Sequence, residues 1–501
     1  MAASIQTREV SDVNERTHLL SQPITYGASA ESGLAGDGSD SDTSGRRVRK
    51  KRAPTPLPVL QLFTMLTVQL VEPITSMSIY PYINQLISEL DITGGDERRV
   101  GYYAGLIESL FFATEAVTVL HWGRLSDRIG RKPVLMIGLF GASISMLSFG
   151  LARTFWALVV ARSISGLLNG NIGVMKSAMG DLTDSSNRAD GFALLPVVWS
   201  FGATMGPLIG GTFARPHERF PMVFTGEFWI KYPYFLPCLI AASCGFACVL
   251  LVLFVFTESA PPKKRRSASY DSLETRVSSK QPPVNGLRGL LTYPVVLSVT
   301  NYATLAFLNI SFNALFPLFA SMPREIGGLE FQPSRIGYIL GAYGTLCGAY
   351  QYLYFSKIIR RFGERKVFIC GIAAYACVFA LFPATSIVAG TKWQWVGLSA
   401  IIVLLALSDM AFGSIMIIIT ASAPCKASLG ATNGLSQTAI SIIRAIGPAF
   451  SASMFSVSVE NNILYGYGVY ALLFTFAILS LIPASMLPVE LWEEADSDDE
   501  D

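Results

Sequence analysis

Gly123-Arg124-Leu125-Ser126-Asp127-Arg128-Ile129-Gly130-Arg131-Lys132-Pro133 is a charged, glycine-bearing stretch set between two apolar runs, each long enough to cross a bilayer. Its cations beside two membrane ends mark the cytoplasmic side by the positive-inside rule, and its glycines let two helices approach closely there. The rest of the chain fits that beginning. Of 501 residues, 51% are hydrophobic and 15% charged, a composition too apolar and too poor in charge for a soluble protein of this length. The formal net charge of +2 comes from cations gathered in a few loops, which implies no nucleic-acid partner. The seven cysteines (Cys238, Cys244, Cys248, Cys347, Cys370, Cys377, Cys425) fall in apolar runs or on the cytoplasmic side, so they read as small packing residues and not as a disulfide framework.

Apolar runs of about 20 residues place spans near 57–81, 100–122, 133–152, 155–179, 191–213, 233–256, 290–319, 334–357, 366–387, 394–420, 430–457 and 463–487. Residues 1–55 are rich in Ser, Gly, Asp and Arg without apolar periodicity and read as a disordered cytoplasmic tail. A Pro-, Ser- and Lys-rich stretch at 258–289 reads as a linker between six-span halves at 56–257 and 290–488, and residues 489–501 as an acidic tail. Arg46 to Arg52 before the first span, Lys263 to Arg266 in the linker, and Lys357 to Lys366 after span eight put both termini in the cytosol. Phe362-Gly363-Glu364-Arg365-Lys366 echoes Ile129-Gly130-Arg131-Lys132, which suggests an internal repeat.

The opening stretch resembles the G-x-L-x-D-R-x-G-R-K signature of the major facilitator superfamily. Arg162 to Gly170 is similar to that superfamily's R-x-x-x-G motif, which it associates with proton transfer. Gly202-Ala203-Thr204-Met205-Gly206-Pro207-Leu208-Ile209-Gly210-Gly211 resembles its antiporter motif. Gly202 and Gly206 share a helix face, and Pro207 lacks a backbone donor and permits a bend. Tyr102-Tyr103-Ala104-Gly105, Asn187 to Phe192, Phe331-Gln332, and Ala431 through Ala449 are similar to the zinc-induced-facilitator-like branch of twelve-span drug:proton antiporters. The resemblance covers about Pro56 to Pro488 and implies an all-α polytopic membrane protein of twelve transmembrane helices in two pseudo-symmetric six-helix halves, with the substrate site between them. It does not make zinc a cargo or cofactor. The three histidines, His18, His121 and His217, form no ligand cluster with the acids.

An ionisable group in hydrocarbon costs roughly 2.5–3.5 kcal/mol on insertion scales and faces the protein interior. The candidates for proton coupling and the cavity are therefore Glu72, Glu108, Glu115, Arg162, Asp409 and Arg444. At about 1.5 Å of rise per residue, Glu72 and Arg162 share a depth, as do Asp409 and Arg444, so each couple is expected to form either a proton-sensitive pair or a structural salt bridge. Glu108 and Glu115, seven apart, lie on one helix face. Asn169, Asn301 and Asn313 would contact a polar substrate or bond neighbouring helices. Phe111, Phe112, Trp199 and Tyr343 would line an apolar pocket or pack.

For the opening stretch the resemblance implies a gate: Asp127 latches the halves beside span eleven, while Arg128 and Arg131 tie the loop to nearby acids, with Gly123, Gly130 and Lys132 completing it. In the tail, Glu15, Leu19 and Leu20 have the form of an acidic dileucine signal, which an adaptor would read and which favours a vacuole- or lysosome-type membrane over the plasma membrane. No P-loop or hydrolase motif is present in the sequence. The expectation is a monomeric, non-enzymatic, proton-coupled antiporter of a small organic molecule, with protons and lipid as its other partners. A uniporter, a symporter and a non-transporting sensor are the alternatives.

Overall fold

The computed structural model describes residues 58–183, 188–258, 290–424 and 429–489, all in one compact unit, Ala53–Asp501. Among these residues there is no strand. The first ten helices are α1 (Val59–Met77), α2 (Ile83–Ser88), α3 (Val100–Ile129), α4 (Arg131–Gly150), α5 (Phe155–Leu168), α6 (Asn171–Leu182), α7 (Arg188–Phe213), α8 (Pro216–Arg219), α9 (Glu227–Lys231) and α10 (Phe235–Val255). Six more follow: α11 (Tyr293–Ser321), α12 (Pro333–Phe362), α13 (Glu364–Ile387), α14 (Gln394–Ala421), α15 (Leu429–Glu460) and α16 (Gly468–Ser485).

Nine segments among the described residues are long and apolar enough to cross a membrane. Helices α3, α7 and α12, of 30, 26 and 30 residues, have the length but are more polar. Helix α3 carries Glu108 and Glu115, α7 begins at Arg188, and α12 ends in Arg360 and Arg361. In a bilayer only helices and closed barrels satisfy every backbone group internally, so apolar runs of this length fold as helices.

The fourth span is not the continuous helix that hydropathy suggests. Helix α5 stops at Leu168, Asn169 leaves helical geometry at φ −82°, ψ 69°, and α6 restarts at Asn171. A break inside a membrane frees backbone carbonyls that need partners. Trp122 supplies one, its Nε1 donating to the Leu167 oxygen at 2.7 Å. Gly170 lies against that indole ring, where any side chain would collide with it.

Two pairings join the N-terminal helices to the C-terminal ones, α3 with α15 and α7 with α12. Gly101 and Gly105 of α3 press on Ala452 and Pro448 of α15, and the Ala449 amide donates to Ser109 Oγ at 2.8 Å. At the same end, Glu460 accepts from Tyr102 at 3.0 Å and pairs with Arg99 at 3.4 Å. Between α7 and α12, Gly211 meets Gly337 backbone to backbone, and Arg219 Nη2 donates to the Tyr338 hydroxyl at 2.5 Å. Small residues at such crossings let main chains touch. These contacts lie toward the beginning of α3 and the end of α15. Toward the Gly130 end, His121, Arg124 and Arg128 of α3 and Gly434, Gln437 and Thr438 of α15 are exposed. The contacts named above thus close the two groups of helices against one another at the end away from Gly130.

Candidate functional site

Near the closed end, α1, α2, α3, α5, α11 and α15 surround a small, partly open cavity with room for water-sized occupants in this state. Arg162, Glu108, Tyr80, Asn84 and Ser76 are its polar lining, with Ile79, Ile83, Ala104, Ile107, Ala314 and Pro317 among the apolar walls. Arg162 is 6% exposed; its guanidinium stacks over the Phe111 ring, 4.3 Å from the centroid, and its Nε has no hydrogen-bond partner. Glu108 is 9% exposed and accepts a hydrogen bond from the Tyr80 hydroxyl. Asn84, 2% exposed, leaves its Oδ1 without a donor. Such groups are costly to bury unpaired, and their clustering marks a site for a polar ligand or water.

A neighbouring small cavity is lined by Glu72, Gln69, Thr75, Ser165, Asn169 and Asn171, with Val68, Val71, Phe111, Leu139, Ala142 and Met175. Phe111 therefore faces this chamber while Arg162, stacked on it, faces the other. Glu72 and Arg162 are not paired with each other. The charged and phenolic neighbours of Arg162 are Tyr80, Glu108, Tyr82 and Glu115, whereas Glu72 acts on Glu115. Equal depth fixes height along two helices but not which way each side chain turns, and α3 brings its own acid to Arg162. Asn169 Nδ2 stands beside the Glu115 carboxylate without a hydrogen bond of proper geometry.

The expected couple of Asp409 and Arg444 is also not formed. Asp409 of α14 is 8% exposed and accepts from Tyr343 and from Cys347 Sγ (2.9 Å), both on α12, while Gln351 donates to the Asp409 backbone oxygen at 3.2 Å. Arg444 instead stands over the Phe112 ring, 5.9 Å from its centroid, with Glu115 nearby. Cys347 is thus a hydrogen-bond donor and not mere packing, and the Cys238 thiol shares a hydrogen bond with the Tyr82 hydroxyl at 3.2 Å. Asn301 is not a substrate contact. Its Nδ2 donates to the Leu297 oxygen at 2.9 Å and to the Pro483 oxygen at 3.0 Å, the second in the last turn of α16, where it also accepts from the Met486 amide at 3.2 Å. Asn313 Nδ2 donates to Asn309 Oδ1 at 3.2 Å, and Asn309 Nδ2 to Tyr375 at 3.0 Å.

In the opening stretch, α3 ends and α4 begins at Gly130, whose φ of +103° favours glycine. Glu258 accepts from the first amides of α4, Arg131 N at 2.8 Å and Lys132 N at 3.1 Å, an acid at a helix N-terminus. Arg131 meets Asp181 at 3.3 Å and Ser126 at 2.7 Å. Lys132 Nζ caps the end of α10 through the oxygens of Leu253 (2.8 Å) and Phe256 (2.7 Å). Arg128 is exposed, and Asp127 carries a side chain outside the described ones. Gly202, Gly206 and Gly210 pack on α1 at Pro73, Met77 and Ser78, and α7 continues through Pro207 without a break. Glu15, Leu19 and Leu20, both tails, most of the linker, Asn187 and Cys425 lie outside the described residues. Sequence reading missed Tyr80, Asn84 and Glu258. Only Glu258 carried a signal, as an acid directly after an apolar run and facing a Gly-Arg-Lys turn.

The model of the Major Facilitator Superfamily matches residues 65–448. The chain is 32% identical to the major facilitator-type transporter psiT2 of Psilocybe cyanescens, over 84% of this chain and 88% of that one. It is 28% identical to the major facilitator superfamily multidrug transporter mfsB of Aspergillus fumigatus, over 83% and 80%. It is also 28% identical to the zinc induced facilitator-like 1 protein of Arabidopsis thaliana, over 84% and 89%. Among solved structures, a bacterial homologue of the human lysosomal transporter Spinster, inward-facing and unoccupied, aligns with a TM-score of 0.63 at 15% identity, over 86% of this chain and 96% of that one.

Proposed function

The chain belongs to the major facilitator superfamily, and from that premise we propose that it is a proton-coupled secondary transporter of a small organic molecule or drug, working by alternating access. The observation that carries the reading is the cavity holding Glu108 and Arg162. It is lined by helices of both groups, next to the contacts that close one end. Charges held in a membrane interior are retained where they bind or move something. Protonating Glu108 removes the counter-charge facing Arg162, so one proton changes the net charge of the cavity by one unit and biases which conformation is favoured. The positive-inside distribution supports calling the Gly130-bearing end cytoplasmic, so the contacts near Arg99 and Glu460 close the opposite side, as an inward-facing state requires. The glycine-proline stretch of α7 supports the antiport form, and the multidrug name of one relative is consistent with a drug-like cargo.

Flux into proteoliposomes with and without an imposed proton gradient tests the reading. Antiport predicts accumulation only with the gradient, a uniporter moves cargo without one, and a sensor binds without flux, which would overturn transport altogether. The acidic-organelle location is proposed from Glu15, Leu19 and Leu20 alone. Replacing both leucines by alanine is expected to move the protein to the cell surface with flux per molecule unchanged, and unaltered localisation in fluorescence images would reject it.

A further inference from the structure

We propose that Arg162 is the recognition group for a carboxylate on the transported molecule, so that the cargo class is a lipophilic organic acid that also carries a hydrogen-bond donor. The proposal rests on reading the cavity as the translocation site and is independent of the direction of proton coupling.

The argument starts from how Arg162 is held. Its guanidinium is planar and permanently charged, with five N–H donors in a fork that matches a carboxylate. Phe111 fixes the plane by stacking against one face at 4.3 Å, which uses none of those donors. Nε is buried without a partner although the residue is 94% removed from solvent, given its 6% exposure. The nearest acid does not fill that role. Glu108 gives its carboxylate to Tyr80 and influences Arg162 only through space. A stacked, oriented guanidinium with a free donor edge is preorganised for an in-plane, charge-assisted pair with a ligand carboxylate.

The other half of the cavity defines the rest of the ligand. Asn84 Oδ1 is an acceptor without a donor in the same space, so a hydroxyl or N–H on the cargo would complete it. Between the two stand Ile79, Ile83, Ile107, Ala314 and Pro317, which suit an apolar or aromatic body. The acceptor needed by Arg162 and the donor needed by Asn84 are then at two ends of one lipophilic molecule.

The test uses the purified full-length protein and a fluorescent probe, 6-hydroxy-2-naphthoate, against its neutral isostere 6-hydroxy-2-naphthamide. The unaltered protein is expected to bind the acid at least about tenfold more tightly than the amide, the size of one oriented charge-assisted bond. Arg162→Lys, which keeps the charge but loses the fork, is expected to erase most of that preference, read as the ratio of acid to amide affinity. Glu108→Gln removes a like charge and is expected to tighten acid binding, and Asn84→Ala to weaken acid and amide equally. Equal affinity of the unaltered protein for acid and amide would overturn the proposal even if Arg162→Lys fails to fold. Failure of the carboxylate preference in a protein that still accumulates other cargo sinks this inference alone, whereas tight acid binding without flux sinks the transport reading and leaves Arg162 as an anion site.

Discussion

Glu108 and Asp409 are both carboxylates buried on long helices, and both accept from a tyrosine, yet their surroundings differ in kind. Glu108 shares a cavity with a guanidinium and is reached by helices from both parts of the chain. Asp409 is closed in by the Tyr343 hydroxyl and the Cys347 thiol, two neutral donors on α12, with α13 packed on the same stretch of α14. A proton arriving at Glu108 changes what Arg162 faces. A proton arriving at Asp409 changes only the strength of two local hydrogen bonds. Burial of an acid therefore does not by itself mark a coupling residue; a mobile cavity and an opposite charge beside it do.

The largest expected effect breaks the first acid. Glu108→Gln should reduce gradient-driven accumulation to background while cargo exchange without a gradient continues; undiminished accumulation by well-folded protein would remove Glu108 from the coupling step. The same change at the second acid should behave differently. Asp409→Asn weakens two charge-assisted bonds between α12 and α14 and is expected to cost about 1–3 kcal/mol of stability, seen as a lower melting temperature with coupling per folded molecule retained. If coupling disappears at an unchanged melting temperature, the contrast drawn between the two acids is reversed.

Removing each tyrosine sharpens the comparison at smaller amplitude. Tyr80→Phe strips Glu108 of its hydroxyl donor, so the pH profile of transport should change. Tyr343→Phe should lower stability by about 0.5–1.5 kcal/mol and leave the pH profile where it was. Cys347→Ala is the mildest change, expected to cost less than Tyr343→Phe in thermal unfolding because a thiol is a weak donor, with no change in flux.

The sequence carried the parts that depend on counting along the chain. Apolar length, the cations at span ends and the glycine at 130 are local, and the cost of a charge in hydrocarbon singled out Glu108, Arg162 and Asp409 before any partner was known. What it did not carry is azimuth. Rise per residue put Glu72 level with Arg162 and Asp409 level with Arg444, but a side chain's direction around its helix depends on packing. Tyr80 and Cys347, the actual neighbours, have no distinguishing spacing. The break at Asn169 and Gly170 was hidden for a related reason, since hydropathy averaged over 20 residues does not register two positions beside which the freed Leu167 carbonyl is taken up by a tryptophan 45 residues before it. Asn301 is a third case, an amide bonding a carbonyl 182 residues away at the end of α16.

The ion pair between Arg99 and Glu460 closes the end away from Gly130, and the side chains of its partners are 52% and 32% exposed. An exposed pair of this kind contributes about 0.2–1 kcal/mol and weakens as dissolved ions screen it over a Debye length of about 10 Å at 0.1 M. Loss of that contribution shifts the balance between the two access states by up to about fivefold. The compartment facing this clasp thus acts on the transporter through its ionic strength as well as through its protons. A cell that concentrates salt there eases the opening of the gate without touching the binding cavity.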